Sequence, residues 1–211
     1  MKPKVDYTLY LVTDRKLMAA NNIEECVEQA ILGGFTVVQL REKTVSSNDF
    51  FQTALRVRNI TAQYGVPLII NDRADIALAV DADGLHIGQD DLPYEAARRI
   101  VGQNKIIGVT THNLAEAVSA AEMGADYISV GAMFKTGTKT DTIPTGIDEL
   151  KSICEAVKIP IVAIGGINKN NVPLLKGTGI DGIAVASAIV TEEDTAEAAR
   201  ELKSSFKGDN L

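Results

Sequence analysis

Two cations stand one residue apart in "QLREK", Arg41 and Lys43, at the end of the run "TVVQLRE". In an extended chain alternate side chains share a face. The pair therefore sends two like charges the same way, which suits an anion such as a phosphate held between them. Carboxylates follow two later runs: Asp72 after "PLIIN" and Asp91 in "GQDD". Mg2+ is usually bound by one or two carboxylates together with phosphate oxygens and waters, so Asp72 and Asp91 are metal candidates. Helix capping competes with that reading. Asp72 precedes "RADIALAV", and Asp91 precedes "LPYEAARR", where Pro93 suits a first helical turn. On residue types alone the two readings stand level.

The segment "MFKTGTKTDTIPTG", Met133 to Gly146, is polar, rich in hydroxyls and without periodicity. At its middle lies "TGTK", Thr136 to Lys139. Hydroxyls and backbone N–H groups around a glycine form an anion-binding concavity. Lys139 adds a compact positive charge, and the length suits a lid over a site. An ordinary surface loop is the alternative. "AIGGIN", with Gly165 and Gly166, and "AVASAI", with Ala186 and Ser187, allow a backbone close to an anion; tight packing at a corner would produce the same residues. His86 lies inside an apolar run and reads as a packed histidine. His112, in "TTHN", reads as a ligand or an acid/base group. Asp75 and Asp90 read as first-turn or surface acids.

These residues need a scaffold that gathers them. Eight β-rich runs recur: "YTLYLVT", "TVVQLRE", "PLIIND", "GLHIGQ", "KIIGVT", "YISVGA", "PIVAIGG" and "GIAVAS". Several are apolar almost throughout, as parallel strands covered on both faces are. Amphipathic stretches separate them. "NIEECVEQAILGG" puts Ile23, Cys26, Val27, Ala30 and Ile31 on one face and ends at a glycine pair. "SNDFFQTALRVRNITAQYG" carries Phe51, Leu55 and Ile60 at near-helical spacing, and "NLAEAVSAAEMGA" opens on an asparagine suited to an N-cap. Eight strand-then-helix units predict an α/β protein, a (β/α)8 TIM barrel, in one domain spanning 1–211. An open doubly wound sheet fits less well, because no G-x-G-x-x-G opens the first helix. Barrel sites lie at the C-terminal ends of the strands, which is where the reactive residues fall.

Composition narrows the partners. The net charge of −7 argues against a nucleic-acid footprint, which needs a basic stripe. It permits phosphate ligands, which a few local cations and N–H groups hold. Cys26 and Cys154 show no metal spacing and read as buried thiols. No run reaches the length of a membrane span, and the N-terminus has no stretch of signal-peptide length, so the protein reads as cytoplasmic. A homo-oligomer is compatible with the sequence and is not fixed by it.

Taken together and in order, "QLREK", "NDR", "GLHIGQDD", "GVTTHN", "TGTK", "AIGGI" and "ASAI" resemble thiamine-phosphate synthase, over most of the chain from "YLVTD" to "ASAI". The resemblance implies a TIM barrel that uses Mg2+. It implies the joining of 4-amino-2-methyl-5-(diphosphomethyl)pyrimidine to 4-methyl-5-(2-phosphoethyl)thiazole, with release of diphosphate. Gln39, Leu40, Arg41, Glu42 and Lys43 would then line the pyrimidine diphosphate site with Asn71, Thr110 and Lys139, and Arg41, Lys43, Thr110 and Lys139 would serve the chemistry. Thr136, Gly137, Thr138, Gly166, Ala186 and Ser187 would take the thiazole phosphate, and Asp72 and Asp91 the metal. Two positions depart from the family pattern: Lys135 stands where proline is common, and Thr110 where serine is. Three rivals remain: a thiazole tautomerase on the same barrel, a non-catalytic sensor of phosphate ligands, and another phosphate-binding barrel. The first would not need the metal pair or the basic pair, and the last would not match "QLREK" or "TGTK".

Overall fold

Eight parallel strands close on themselves in chain order. They are β1 (Leu9–Val12), β2 (Val37–Leu40), β3 (Leu68–Asn71), β4 (Gly84–Ile87), β5 (Ile106–Thr111), β6 (Tyr127–Val130), β7 (Ile161–Ile164) and β8 (Gly182–Val185). β1 pairs with β8 as well as β2, so no strand edge is left open. The computed structural model describes residues 2, 4–18, 22–135 and 145–208. Among them no helix is long and apolar enough to cross a membrane.

The strands are apolar on both faces because both are buried. Leu9, Leu11, Val38, Leu40, Leu68, Ile70, Leu85 and Ile107 point outward and pack beneath the helices. Each such side chain taken wholly out of water contributes about 1.5–3 kcal/mol. Tyr7, Tyr10, Val37, Ile69, Ile106, Tyr127 and Val162 fill the barrel interior. Large inward residues face missing ones. Gly108 lies in register with Tyr127, and a Cβ at Gly108 would come within 2.0 Å of the tyrosine ring. Burial raises the hydroxyl pKa of Tyr7, Tyr10 and Tyr127 above the usual range.

The helices form where caps and apolar faces coincide. α1 (Ile23–Leu32) buries Ile23, Cys26, Val27, Ala30 and Ile31, and Asn22 accepts the Glu25 N–H at 2.6 Å. α2 (Ser47–Gln63), capped by Ser46, buries Phe50, Thr53, Ala54, Val57 and Thr61; Phe51, Leu55 and Ile60, the expected face, only flank it. Two of its inward positions are threonines, which a search for large apolar residues passes over. α3 (Ala74–Ala79) and α4 (Tyr94–Val101) are short, and α5 (Leu114–Glu122) and α6 (Ile147–Ala156) follow β5 and β6. The predicted helix after β7 is only a 3-10 turn, Val172–Leu175. Pro173 brings no N–H, and Gly177 and Gly179 follow at positive φ. After β8 come α7 (Ser187–Val190) and α8 (Thr195–Lys207). Cys26 is buried as expected, whereas Cys154 is only half-buried; both are free thiols.

The N-terminal end of the barrel is stitched in pairs. Thr36, Asp83, Asp126 and Asp181 stand just before β2, β4, β6 and β8. Their side chains accept the N–H of Leu9, Leu68, Ile107 and Ile161, at 3.1, 2.9, 2.9 and 2.8 Å. An N–H at or near the start of each odd-numbered strand is thus satisfied by the residue that leads into the next strand. Arg98, nearly buried, joins Asp126 at 2.7 Å and the carbonyls of Gly102 and Lys105 at 2.9 and 2.6 Å.

Candidate functional site

At the opposite end the strands open into a cavity. Its walls include Thr13, Asp14, Gln39, Arg41, Asn71, His86, Thr110 and His112 on one side, and Gly131, Ile164, Gly166, Ala186 and Ser187 on the other. Strand alternation divides "QLREK". Gln39 and Arg41 face the cavity, whereas Leu40 is fully buried beneath the helices. Glu42 also turns away from the cavity, and its carboxylate, 3% exposed, accepts the Arg15 Nε–H at 2.9 Å. Of the stretch, Gln39 and Arg41 line the cavity.

Each of the two cations has a carboxylate of its own. Arg41 Nη1 lies 3.1 Å from Asp14 Oδ2, and its backbone N–H donates to Thr13 Oγ1 at 3.0 Å. Lys43 is bound to Asp72 and is about half exposed. Asp14 and Thr13 escaped the reading of strand ends; the signal was their position directly after β1 in "YLVTD".

Neither Asp72 nor Asp91 caps a helix. The residue flanking α3 is Arg73 and that flanking α4 is Pro93, and neither helix has a side-chain cap. Asp72 instead adopts φ +61°, a left-handed conformation that aspartate tolerates better than most residues. Its N–H donates to the His86 carbonyl at 2.8 Å, which ties it to β4. Asp91 folds back in a turn and accepts the Gly88 N–H at 2.7 Å. The two carboxyls meet. Burial raises the Asp91 pKa and Asp72 raises it further, against the Gly88 N–H and Lys43, which lower it. Hard carboxylate oxygens brought together against their mutual repulsion are a donor set for a divalent cation such as Mg2+. No cluster of three or more metal-ligating side chains occurs among the described residues, so such an ion would need further oxygens from ligand or water. Asp75 is the first-turn acid expected, bound by Arg73 at 2.6 Å, and Asp90 is exposed.

His86 is packed, 5% exposed, and yet reaches the cavity floor. Its Nε2 lies 2.8 Å from Thr110 Oγ1 and its Nδ1 2.8 Å from the Tyr127 hydroxyl. His112 lines the rim with Nδ1 2.9 Å from Glu116 Oε2. The same glutamate accepts the His112 N–H at 2.8 Å, and Asn113 accepts the Glu116 N–H at 3.0 Å. This reciprocal cap starts α5 and fixes the imidazole. Burial raises the Glu116 pKa, but the hydrogen bonds from His112 and Asn113 outweigh it and hold the carboxyl below its usual range.

The glycine pair after β7 is required by the backbone. Gly165 and Gly166 have φ of +99° and +65°, and a Cβ at Gly166 would lie 2.5 Å from the Lys135 carbonyl oxygen. Asn171 Nδ2 donates to the Gly166 carbonyl at 2.8 Å. Beside this pair, Met133 and Phe134 extend β6 by donating to Ile164 and Gly165 carbonyls at 2.9 and 3.0 Å. Buried Thr145 anchors the far end of the same loop through the Ala132 and His112 carbonyls, at 2.7 and 3.1 Å. Thr136, Gly137, Thr138 and Lys139 lie outside the described residues.

Known proteins are similar to this chain over nearly its whole length. A family model for thiamine monophosphate synthase matches residues 9–189. A thiamine-phosphate synthase of Clostridium botulinum is 57% identical over 206 residues, 98% of this chain and 97% of the relative. One of Clostridium beijerinckii is likewise 57% identical, over 98% of this chain and 99% of its own length. Among solved structures, a thiamine phosphate pyrophosphorylase from Pyrococcus furiosus superposes with a TM-score of 0.89 at 40% identity, covering 96% of both chains.

Proposed function

Because the chain belongs to the thiamine monophosphate synthase family and is a transferase, we propose that it joins the two substrates named by the resemblance, the pyrimidine diphosphate and the thiazole phosphate, to give thiamine monophosphate and diphosphate. One observation carries this reading. Gln39, Arg41, Asn71 and Thr110 line the same cavity as Gly166, Ala186 and Ser187, so the residues assigned to the two substrates open onto one space.

In the proposed reaction the C–O bond between the pyrimidine methylene and the diphosphate breaks, and the electron pair leaves with the diphosphate. The ring amino group stabilises the resulting pyrimidine-methyl cation, and the thiazole nitrogen lone pair closes the new C–N bond. The thiazole nitrogen carries no proton, so no general base is needed. Arg41, Lys43 and Lys139 favour charge on the departing oxygens. Mg2+ held by Asp72 and Asp91 would supply further charge neutralisation there. Asn71 and Gln39 orient the pyrimidine, and the chain around Gly166, Ala186 and Ser187, with Thr136, Gly137 and Thr138, holds the thiazole phosphate. Holding both rings in one cavity supplies proximity.

The test is diphosphate release from the purified protein with both substrates and Mg2+, each omitted in turn. Release that needs all three, with thiamine monophosphate formed, is expected. Tight binding of thiazole phosphate without release would replace the synthase reading with a binding or isomerising role.

A further inference from the structure

Beneath the cavity, a line of polar side chains crosses the barrel through five strands. Gln39 Nε2 donates to the Tyr10 hydroxyl at 2.9 Å, the Tyr10 and Tyr127 hydroxyls lie 2.6 Å apart, and Tyr127 lies 2.8 Å from His86 Nδ1. His86 Nε2 is 2.8 Å from Thr110 Oγ1 and 3.3 Å from Ser129 Oγ, and Ser129 Oγ donates to Thr110 Oγ1 at 3.3 Å. Gln39, Tyr10, Tyr127, His86 and Ser129 are each at most 5% exposed. Among the described residues no buried side-chain nitrogen or oxygen lacks a partner.

The chain has a direction, and Gln39 sets it. An amide nitrogen only donates. Tyr10 therefore accepts from Gln39, and among the described residues its own hydrogen goes to Tyr127. Tyr127 must then give its hydrogen to His86 Nδ1. The imidazole is left neutral with its proton on Nε2, which donates to Thr110. Thr110 receives hydrogen at its oxygen from His86 and Ser129, so its own hydroxyl hydrogen is left for the cavity that it lines. At the other end Gln39 turns its nitrogen to Tyr10, where one of its two N–H groups is used, and among the described residues Oε1 has no partner and is left for the same cavity. Reversing any one link reverses all of them and would offer the opposite pair.

We propose that Tyr10, Tyr127 and His86 are positioning residues whose one-way chain presents Gln39 Oε1 as an acceptor and the Thr110 hydroxyl as a donor, and so selects a ring bearing an amino donor and a nitrogen acceptor over its oxo counterpart. The selection rests on the pyrimidine reading above, whereas the direction of the chain does not. A site built around fixed hydrogen bonds rejects a mismatched group far more strongly than an apolar pocket does.

The chain contains two histidines, so 15N-histidine labelling of the full-length, ligand-free protein at neutral pH resolves each ring, with His112→Gln to assign them. His86 is expected as the neutral Nε2–H tautomer; an Nδ1–H tautomer or a doubly protonated ring overturns the chain. Tyr127→Phe keeps the ring over Gly108 and removes one link. It is expected to raise KM for the aminopyrimidine diphosphate about tenfold, to leave KM for the thiazole phosphate nearly unchanged, and to mix the His86 tautomers. Equal change in both KM values, or in neither, overturns the positioning role. Inactivity of the unmodified protein would overturn the proposed reaction and the selection with it, while the tautomer would still decide the chain.

Discussion

Asp126 and Asp72 are equally exposed, 19% at the side chain, and both are paired with cations, Asp126 with Arg98 and Lys2 and Asp72 with Lys43. They sit at opposite ends of the barrel and are treated in opposite ways. Asp126 takes an arginine, a lysine and a strand N–H, so its charge is answered from several sides. Asp72 takes a half-exposed lysine, stands in a left-handed conformation and faces another carboxyl. At the closed end charge is neutralised by the fold itself. At the open end it is held where an added cation or anion lowers the energy further, and that is the physical difference between a group that holds the barrel together and a group proposed to hold a ligand.

Substitutions can break this contrast. Asp126→Ala leaves Arg98 without its carboxylate and Ile107 N–H without an acceptor, and is expected to cost roughly 3 kcal/mol of stability in urea unfolding, with turnover per folded molecule preserved. Equal loss of turnover would erase the distinction between the two ends. Arg41→Ala is expected to lower kcat/KM about 100-fold while the unfolding midpoint barely moves, since its partner Asp14 lies beside an open cavity; a large stability loss would make Arg41 a structural residue. The smallest stability effect is expected from Asp72→Asn, within about 0.5 kcal/mol, because asparagine keeps the left-handed backbone and relieves the meeting with Asp91. Its turnover should fall most at limiting Mg2+, and an unchanged Mg2+ dependence would remove Asp72 from the proposed metal site.

The barrel was legible because parallel strands buried on both faces are written as apolar runs, and because Asn113 marks a helix start locally. The helix after β7 was misjudged because Pro173 and the glycines beyond it outweigh a repeating pattern. At the site, residues at strand ends could be named from position alone, as Arg41, Asn71 and Thr110 were. Pairings could not. That Arg41 meets Asp14, and that Asp72 meets Asp91 rather than a helix N-terminus, depends on neighbours brought together by barrel closure. The polar line under the cavity was invisible for the same reason. Tyr10, Gly108 and Tyr127 stand in the strand runs without a mark of their own, and the ring that fills the space at Gly108 comes from the next strand.

The stitches at the closed end carry a consequence for how the chain can be divided. Each joins an odd-numbered strand to the even-numbered strand after it, so the barrel consists of four strand pairs fastened within themselves. A polypeptide cut between α4 and β5 keeps every stitch inside one fragment or the other. Two such halves, made separately, have what they need to recognise each other and reassemble. A cut between β5 and β6 parts Ile107 from Asp126 and leaves each half with a loose strand.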